Sequence, residues 1–129
     1  MILRTLIATL FTFLAMFAKA QDQEVVIRVD TAIKAEQGAI LCGLDRINGD
    51  TVDFEVATGA TFQFQRLKIT LQECRYPEGQ KNTEGFAYMV IDDVFTENRV
   101  FEGWMFASSP ALSALDHPRY DVWVMRCKT

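Results

Sequence analysis

Histidine is almost missing from this chain: among 129 residues there is one, His117. A lone imidazole cannot supply the multi-nitrogen ligand set usual at catalytic zinc, and the nearby Asp116 and Asp121 do not complete a tetrahedral one. No glycine-rich phosphate loop, nucleotide fingerprint or Cys-x-x-Cys occurs, so nothing calls for a cofactor. There is no Gly-x-Ser-x-Gly elbow of the kind that presents a hydrolase serine. Basic residues are scarce: 13 Lys plus Arg stand against 17 Asp plus Glu, a net charge of −4. That balance excludes the basic footprint needed to hold nucleic-acid phosphates and disfavours adhesion to anionic lipid.

What is present begins with an export pattern. Arg4 gives a positive start, residues 6–17 are nearly all apolar, and Ala18-Lys19-Ala20 is a small-x-small cleavage site. The run is shorter than the roughly 20 residues a membrane span needs, and the polar Gln21-Asp22-Gln23-Glu24 follows at once. A retained anchor is the alternative. No cysteine follows the small-residue site, as a lipoprotein would need, and no later segment is apolar for a membrane-spanning length. Cleavage after Ala20 removes Arg4 and Lys19, which moves the net charge to −6 and leaves 109 residues. That is enough for one domain with one core. Residues 1–20 are therefore read as a signal peptide, 21–37 as a polar leader able to dock on the domain edge, and 38–129 as a single domain.

Three cysteines are an odd number, which in an exported protein implies one bridge and one leftover thiol, or an intermolecular link. Cys42 is in phase with Ile40 and Leu44, where a small buried hydrophobe belongs. Cys74 lies out of phase with Leu67, Ile69 and Leu71, at a strand end on the less apolar side. Cys127 closes the last strand. The expected bridge is Cys74 to Cys127. No basic residue adjoins Cys42 to stabilise a thiolate, which weakens it as a reactive thiol.

From Gly38 onward the apolar residues alternate with polar ones, the mark of half-buried strands. Residues 39–45 form the first, and Asn48-Gly49 is a hairpin dipeptide because both residues tolerate positive φ. The return strand, 51–56, points Val52, Phe54 and Val56 inward and Asp53 and Glu55 outward. Phe62 and Phe64 alternate next. A phase slip at Gln65-Arg66 predicts a bulge or tight bend. Residues 75–84, with Pro77 and Gly79, read as an exposed loop. Strands follow at 86–91, with Phe86, Tyr88 and Val90 on one side, and at 99–106. The glycines, Gly43 and Gly103 included, read as turn or strand-end residues.

One helical segment is predicted, 108–115. Ser108 or Ser109 can cap it, Pro110 suits its first position, Leu112 and Leu115 share a face, and Pro118 ends it. The last strand, 120–127, is apolar on both faces and so is read as running through the middle of the domain or lying under the helix. The sum is a mainly β fold, a small β-sandwich or partly open barrel of six or seven short strands with one short helix.

Several groups invite a chemical reading. His117 at the predicted helix end would meet exposed carbonyls. Ser108, His117 and Asp121 contain the letters of a hydrolase triad, but the serines fall where capping serines are expected. Asp92, Asp93 and Glu97 could hold calcium; lacking an EF-hand spacing, they read as a solvated turn. Asp50, Asp53 and Glu55 face water. The strongest surface candidate is Phe101-Glu102-Gly103-Trp104-Met105-Phe106 leading into the predicted helix, since aromatics and methionine are enriched at interfaces as well as in cores. Trp104, Ser108, His117 and Tyr120 are the candidate binding residues.

The run from Gly103 to Leu112, then Leu115-Asp116-His117-Pro118, Tyr120-Asp121-Val122-Trp123-Val124 and Cys127, with Gly43-Leu44-Asp45 and Asp53-Phe54 upstream, resembles the signature of a bacterial family called domain of unknown function 2155. The resemblance spans roughly residues 39–127. It implies an exported, periplasmic protein of Gram-negative bacteria and implies no activity. Cys74 and Cys127 match cysteine positions of the family pattern, whereas Cys42 stands where a basic residue is expected.

The reading that follows is a soluble periplasmic domain held by one disulfide, with no transmembrane segment after cleavage and no nucleic-acid partner. Its expected role is a non-enzymatic binding or envelope-associated module for another envelope protein or a cell-wall component. The alternatives are a small secreted hydrolase using Asp116, His117 or Asp121, and an inhibitor or assembly factor for another exported protein, inserting the loop 75–84.

Overall fold

The computed structural model describes residues 27–129, so the expected signal peptide and the first residues of the leader lie outside the described residues. Eight strands form two antiparallel sheets that stack as a sandwich rather than a closed barrel. Strand β1 is Ile33–Ala35, β2 Gly38–Asp45, β3 Thr51–Val56 and β4 Thr61–Phe64. Strand β5 is Leu67–Tyr76, β6 Phe86–Asp93, β7 Asn98–Phe106 and β8 Tyr120–Lys128. The larger sheet has the order β1-β5-β6-β7, and β4 shares with β1 the same long edge of β5. The smaller sheet is β3-β2-β8. The short β1 seals Ala35 against the core and lies within the expected leader.

Alternation sets the core, as period two requires. Leu67, Ile69 and Leu71 of β5 and Ala87, Met89 and Ile91 of β6 face Leu41, Phe54, Val56, Val122 and Val124 across the sandwich. Each large apolar side chain so buried contributes roughly 1.5–3 kcal/mol relative to exposure. Val52 keeps the phase of Phe54 but is 48% exposed. The Asn48-Gly49 hairpin forms with Gly49 at φ 77°, and the slip at Gln65-Arg66 is a tight turn with Gln65 at φ 52°. Gly43 is not a turn residue. It lies inside β2, where a Cβ would stand 2.9 Å from the Phe64 ring.

Two bulges decide where the sulfurs point. Opposite β6, strand β5 carries one extra residue, Gln72. Opposite β2, strand β8 carries one extra residue, Met125. A bulge reverses the phase of everything after it. Cys74, outward by simple alternation from Leu71, becomes fully buried, and Cys127, outward by alternation from Val124, turns inward as well. Cys74 therefore does not sit on a less apolar side. The two sulfurs lie at disulfide-bonding distance with Cα atoms 5.7 Å apart, joining one sheet to the other. Cys42 is the free cysteine, buried on the outer side of β2 beside Trp123.

The expected helix reduces to a three-residue 3₁₀ turn, Pro110–Leu112. Ser113 returns to extended backbone, Ser109 makes no capping hydrogen bond, and Leu112 is 60% exposed, so only Leu115 reaches the core. Strand β8 is also not central: it is an edge of the three-stranded sheet. Its second apolar face, Trp123 and Met125, is half-buried and exposed respectively.

Candidate functional site

The chain crosses from β7 to β8 through residues 107–119, and the end of this crossing ties both sheets together. β2 and β6 each finish in an aspartate on the inward phase, Asp45 after Ala39 and Leu41, and Asp93 after Ala87, Met89 and Ile91. Both are buried, at 3% and 2% exposed. A buried carboxylate is costly unless it is paired and hydrogen-bonded, and the crossing segment supplies the pairing. His117 Nδ1 accepts the backbone N–H groups of Arg119 and Tyr120, each at 3.1 Å. The ring proton therefore sits on Nε2, which donates to Asp93 Oδ2 at 2.9 Å. Arg119 Nη2 donates to Asp45 Oδ2 at 3.0 Å. Each aspartate also caps its own turn, Asp45 accepting from Ile47 N–H and Asp93 from Phe95 and Thr96 N–H.

The electrostatics follow the geometry. The hydrogen bond from His117, helped by the Phe95 and Thr96 amides and the Arg66 charge, lowers the Asp93 carboxyl to about 2 against the opposing pull of burial. The Arg119 hydrogen bond likewise holds Asp45 below the usual carboxylate value. Arg46 completes the clamp, donating through Nη1 to His117 O at 3.0 Å.

This geometry corrects two readings. His117 does not end a helix; it is 5% exposed and spans to the larger sheet. Asp93 is not part of a solvated turn, although Asp92 and Glu97 remain at the surface with Arg99 on Asp92. Of the four candidate binding residues only His117 and Tyr120 are brought together, their ring centroids 5.2 Å apart. Tyr120 is a core residue, 1% exposed, packed edge-on against Phe64 and beside the His117 ring. Trp104 lies on the outer face of the larger sheet against Tyr88, with Arg75 over its ring. Ser108 hydrogen-bonds Glu84 through both its hydroxyl and its N–H. Ser108, on Glu84, is thus separate from the other two; Arg46 reaches both the His117 carbonyl and the Asp121 carboxylate, but the His117 ring turns to Asp93 and not to Asp121.

Sequence reasoning missed Asp45 and Arg119 and read Asp93 as part of a solvated acidic turn. The signal was in the alternation: an aspartate on the inward phase of an otherwise apolar strand demands a buried partner.

A different feature can receive a ligand. Beside β8 lies a groove of about 290 Å³, lined by residues 121–124, by Pro110, Ala111, Ser113 and Ala114, and by Met105 and Phe106. Its lining is mostly apolar. Asp121 is the charged side chain on its wall. Among the described residues no group of His, Cys, Asp and Glu is arranged to hold a metal ion, and no helix is long and apolar enough to cross a membrane.

The comparisons add a lineage. Residues 39–127, from β2 to the bridged end of β8, match the family model described as an uncharacterized protein conserved in bacteria, DUF2155. The chain belongs to this family. The matched span contains both halves of the clamp, both bridged cysteines and the groove of this DUF2155 chain. It is similar to an uncharacterized protein of Rickettsia prowazekii, 26% identical over 90 residues. The alignment covers 67% of this chain and 58% of that relative, so the chain spans less than two thirds of the relative's length. No solved structure matches the chain.

Proposed function

We propose that this DUF2155 protein is an exported, non-enzymatic binding module of the bacterial envelope, working in the periplasm after removal of residues 1–20. The observation that carries the reading is the groove beside β8. It is concave, largely apolar and backed by a rigid sandwich, which is the usual form of a binding site. The groups that could do acid–base chemistry are engaged elsewhere, His117 and Asp93 with each other and Asp45 with Arg119. The inter-sheet cysteine pair supports an oxidising compartment, in keeping with the export pattern. The partner is another envelope protein or a cell-wall component.

The test is to express the full chain in a Gram-negative host, fractionate it, and place a photo-crosslinking residue at Ala111 on the groove wall. The expected result is a product 20 residues shorter in the osmotic-shock fraction, with Cys74 and Cys127 oxidised, and a crosslink to a defined envelope component that Ala114→Arg abolishes. A cytoplasmic product with three reduced thiols, or a groove that captures nothing in the envelope, would refute it.

A further inference from the structure

The open edge of β8 specifies what the groove takes. We propose that it receives an extended peptide as an added strand, carrying alternating apolar and basic side chains. The inference rests on the binding-module reading and names the class of partner.

An antiparallel strand directs the N–H and C=O groups of alternate residues to one side and the remainder to the other. β8 pairs with β2 along one edge, and among the described residues no strand pairs with the other. Residues 121–124 of this edge strand line the groove. An apolar small molecule would leave these backbone groups without partners; a strand satisfies them in register.

The other free edges are less suitable. β1 and β4 are three and four residues long, and β3, six residues long, lines no part of the groove. β7 is kinked by the extra residue Val100 and by Gly103 at φ 152°. Short or bulged edges are poor templates for strand addition. On β8 itself, the Met125 bulge and the approach of Gly85 to Arg126 and Cys127 close the far end, which confines pairing to about the four residues 121–124. The opposite wall does not compete for those groups. Among the described residues no backbone hydrogen bond joins 110–114 to 121–124.

Side-chain chemistry then sets the occupant. Along β8, Val122 and Val124 face the core side while Asp121 and Trp123 face outward. Alternate side chains of an added strand fall beside one set or the other. Those next to Val122, Val124 and Met105 must be apolar. Those next to Asp121 and Trp123 suit Lys or Arg, which stack on the indole and share the Asp121 carboxylate with Arg46, 3.7 Å away in a partly exposed pair. A basic strand also complements a chain of net charge −4.

The test titrates an acetylated peptide of four Val-Lys repeats into the oxidised, exported protein and follows backbone amides by NMR. Two isomers carry N-methyl groups on all the valines or on all the lysines, and a fourth peptide replaces Lys by Glu. The expected result is that shifts concentrate at 111–114 and 121–124. One N-methylated isomer binds and the other loses at least tenfold in affinity, since only one set of N–H groups faces β8. The Glu peptide binds more weakly, and Asp121→Asn reduces affinity for the Val-Lys peptide several-fold. Groove binding with both N-methylated isomers equal to the parent would overturn strand addition while leaving the binding-module reading intact. Shifts elsewhere, or no binding of any peptide together with no groove crosslink, would remove both.

Discussion

His117 Nε2 and Asp93 Oδ2 meet at 2.9 Å between the β7–β8 crossing and the end of β6, and the pair is almost wholly sealed from water. Two residues further on, Arg119 does the same for Asp45 at the end of β2. One short segment thereby closes both sheets at the same end of the sandwich, opposite in character to the sulfur link between β5 and β8.

Removing one member of the first pair strands the other. His117→Ala leaves the Asp93 carboxylate with Arg66 and two amides, and frees two backbone N–H groups that Nδ1 now accepts. Breaking a buried pair in this way costs about 3–5 kcal/mol. Urea unfolding followed by circular dichroism should show that loss. In a double-mutant cycle with Asp93→Asn the second substitution should cost much less than the first.

The pH dependence has a defined sign. Asp93 is held at about 2 against an ordinary 3.8. Its folded value is depressed, so its contribution is complete above the unfolded value and is lost as pH falls through the folded one. Stability should therefore decline between pH values of about 4 and 2. Asp45 shifts the same way and adds to the decline. Denaturant melts across this range should be visibly flatter for Asp93→Asn.

The Cys74–Cys127 link closes a separation of 53 residues. Loop-closure entropy assigns such a link about 4 kcal/mol. Reduction, or the paired change of both residues to serine, should lower the unfolding midpoint accordingly. A non-reducing peptide map should show no bridged fragment containing Cys42.

Cys42 should be chemically quiet. Burial, with the Asp53 carboxylate close by, pushes its thiol up to about 11. Iodoacetamide at neutral pH should leave the native protein unlabelled and add one label once the chain is unfolded without reductant.

Much of the architecture is legible in the amino-acid sequence. The alternation of Phe54 with Asp53 and Glu55, or of Leu67, Ile69 and Leu71 with their polar neighbours, is a local property of strands, so composition and period suffice to place them. The Asn48-Gly49 turn was readable for the same reason. The 108–115 segment misled because Pro110 and two serines also suit a single 3₁₀ turn, and packing beneath them offers only Leu115 a place in the core.

By itself the amino-acid order determined a mainly β chain, because strand periodicity is a property of sequence. Tertiary structure alone decided that Gln72 and Met125 would bulge and turn Cys74 and Cys127 inward. It also decided that β8 would lie at an edge, that Tyr120 would enter the core away from Trp104, and that Asp93 would find His117. Each of these depends on which strands become neighbours across space. A period of two along one strand carries no record of that choice.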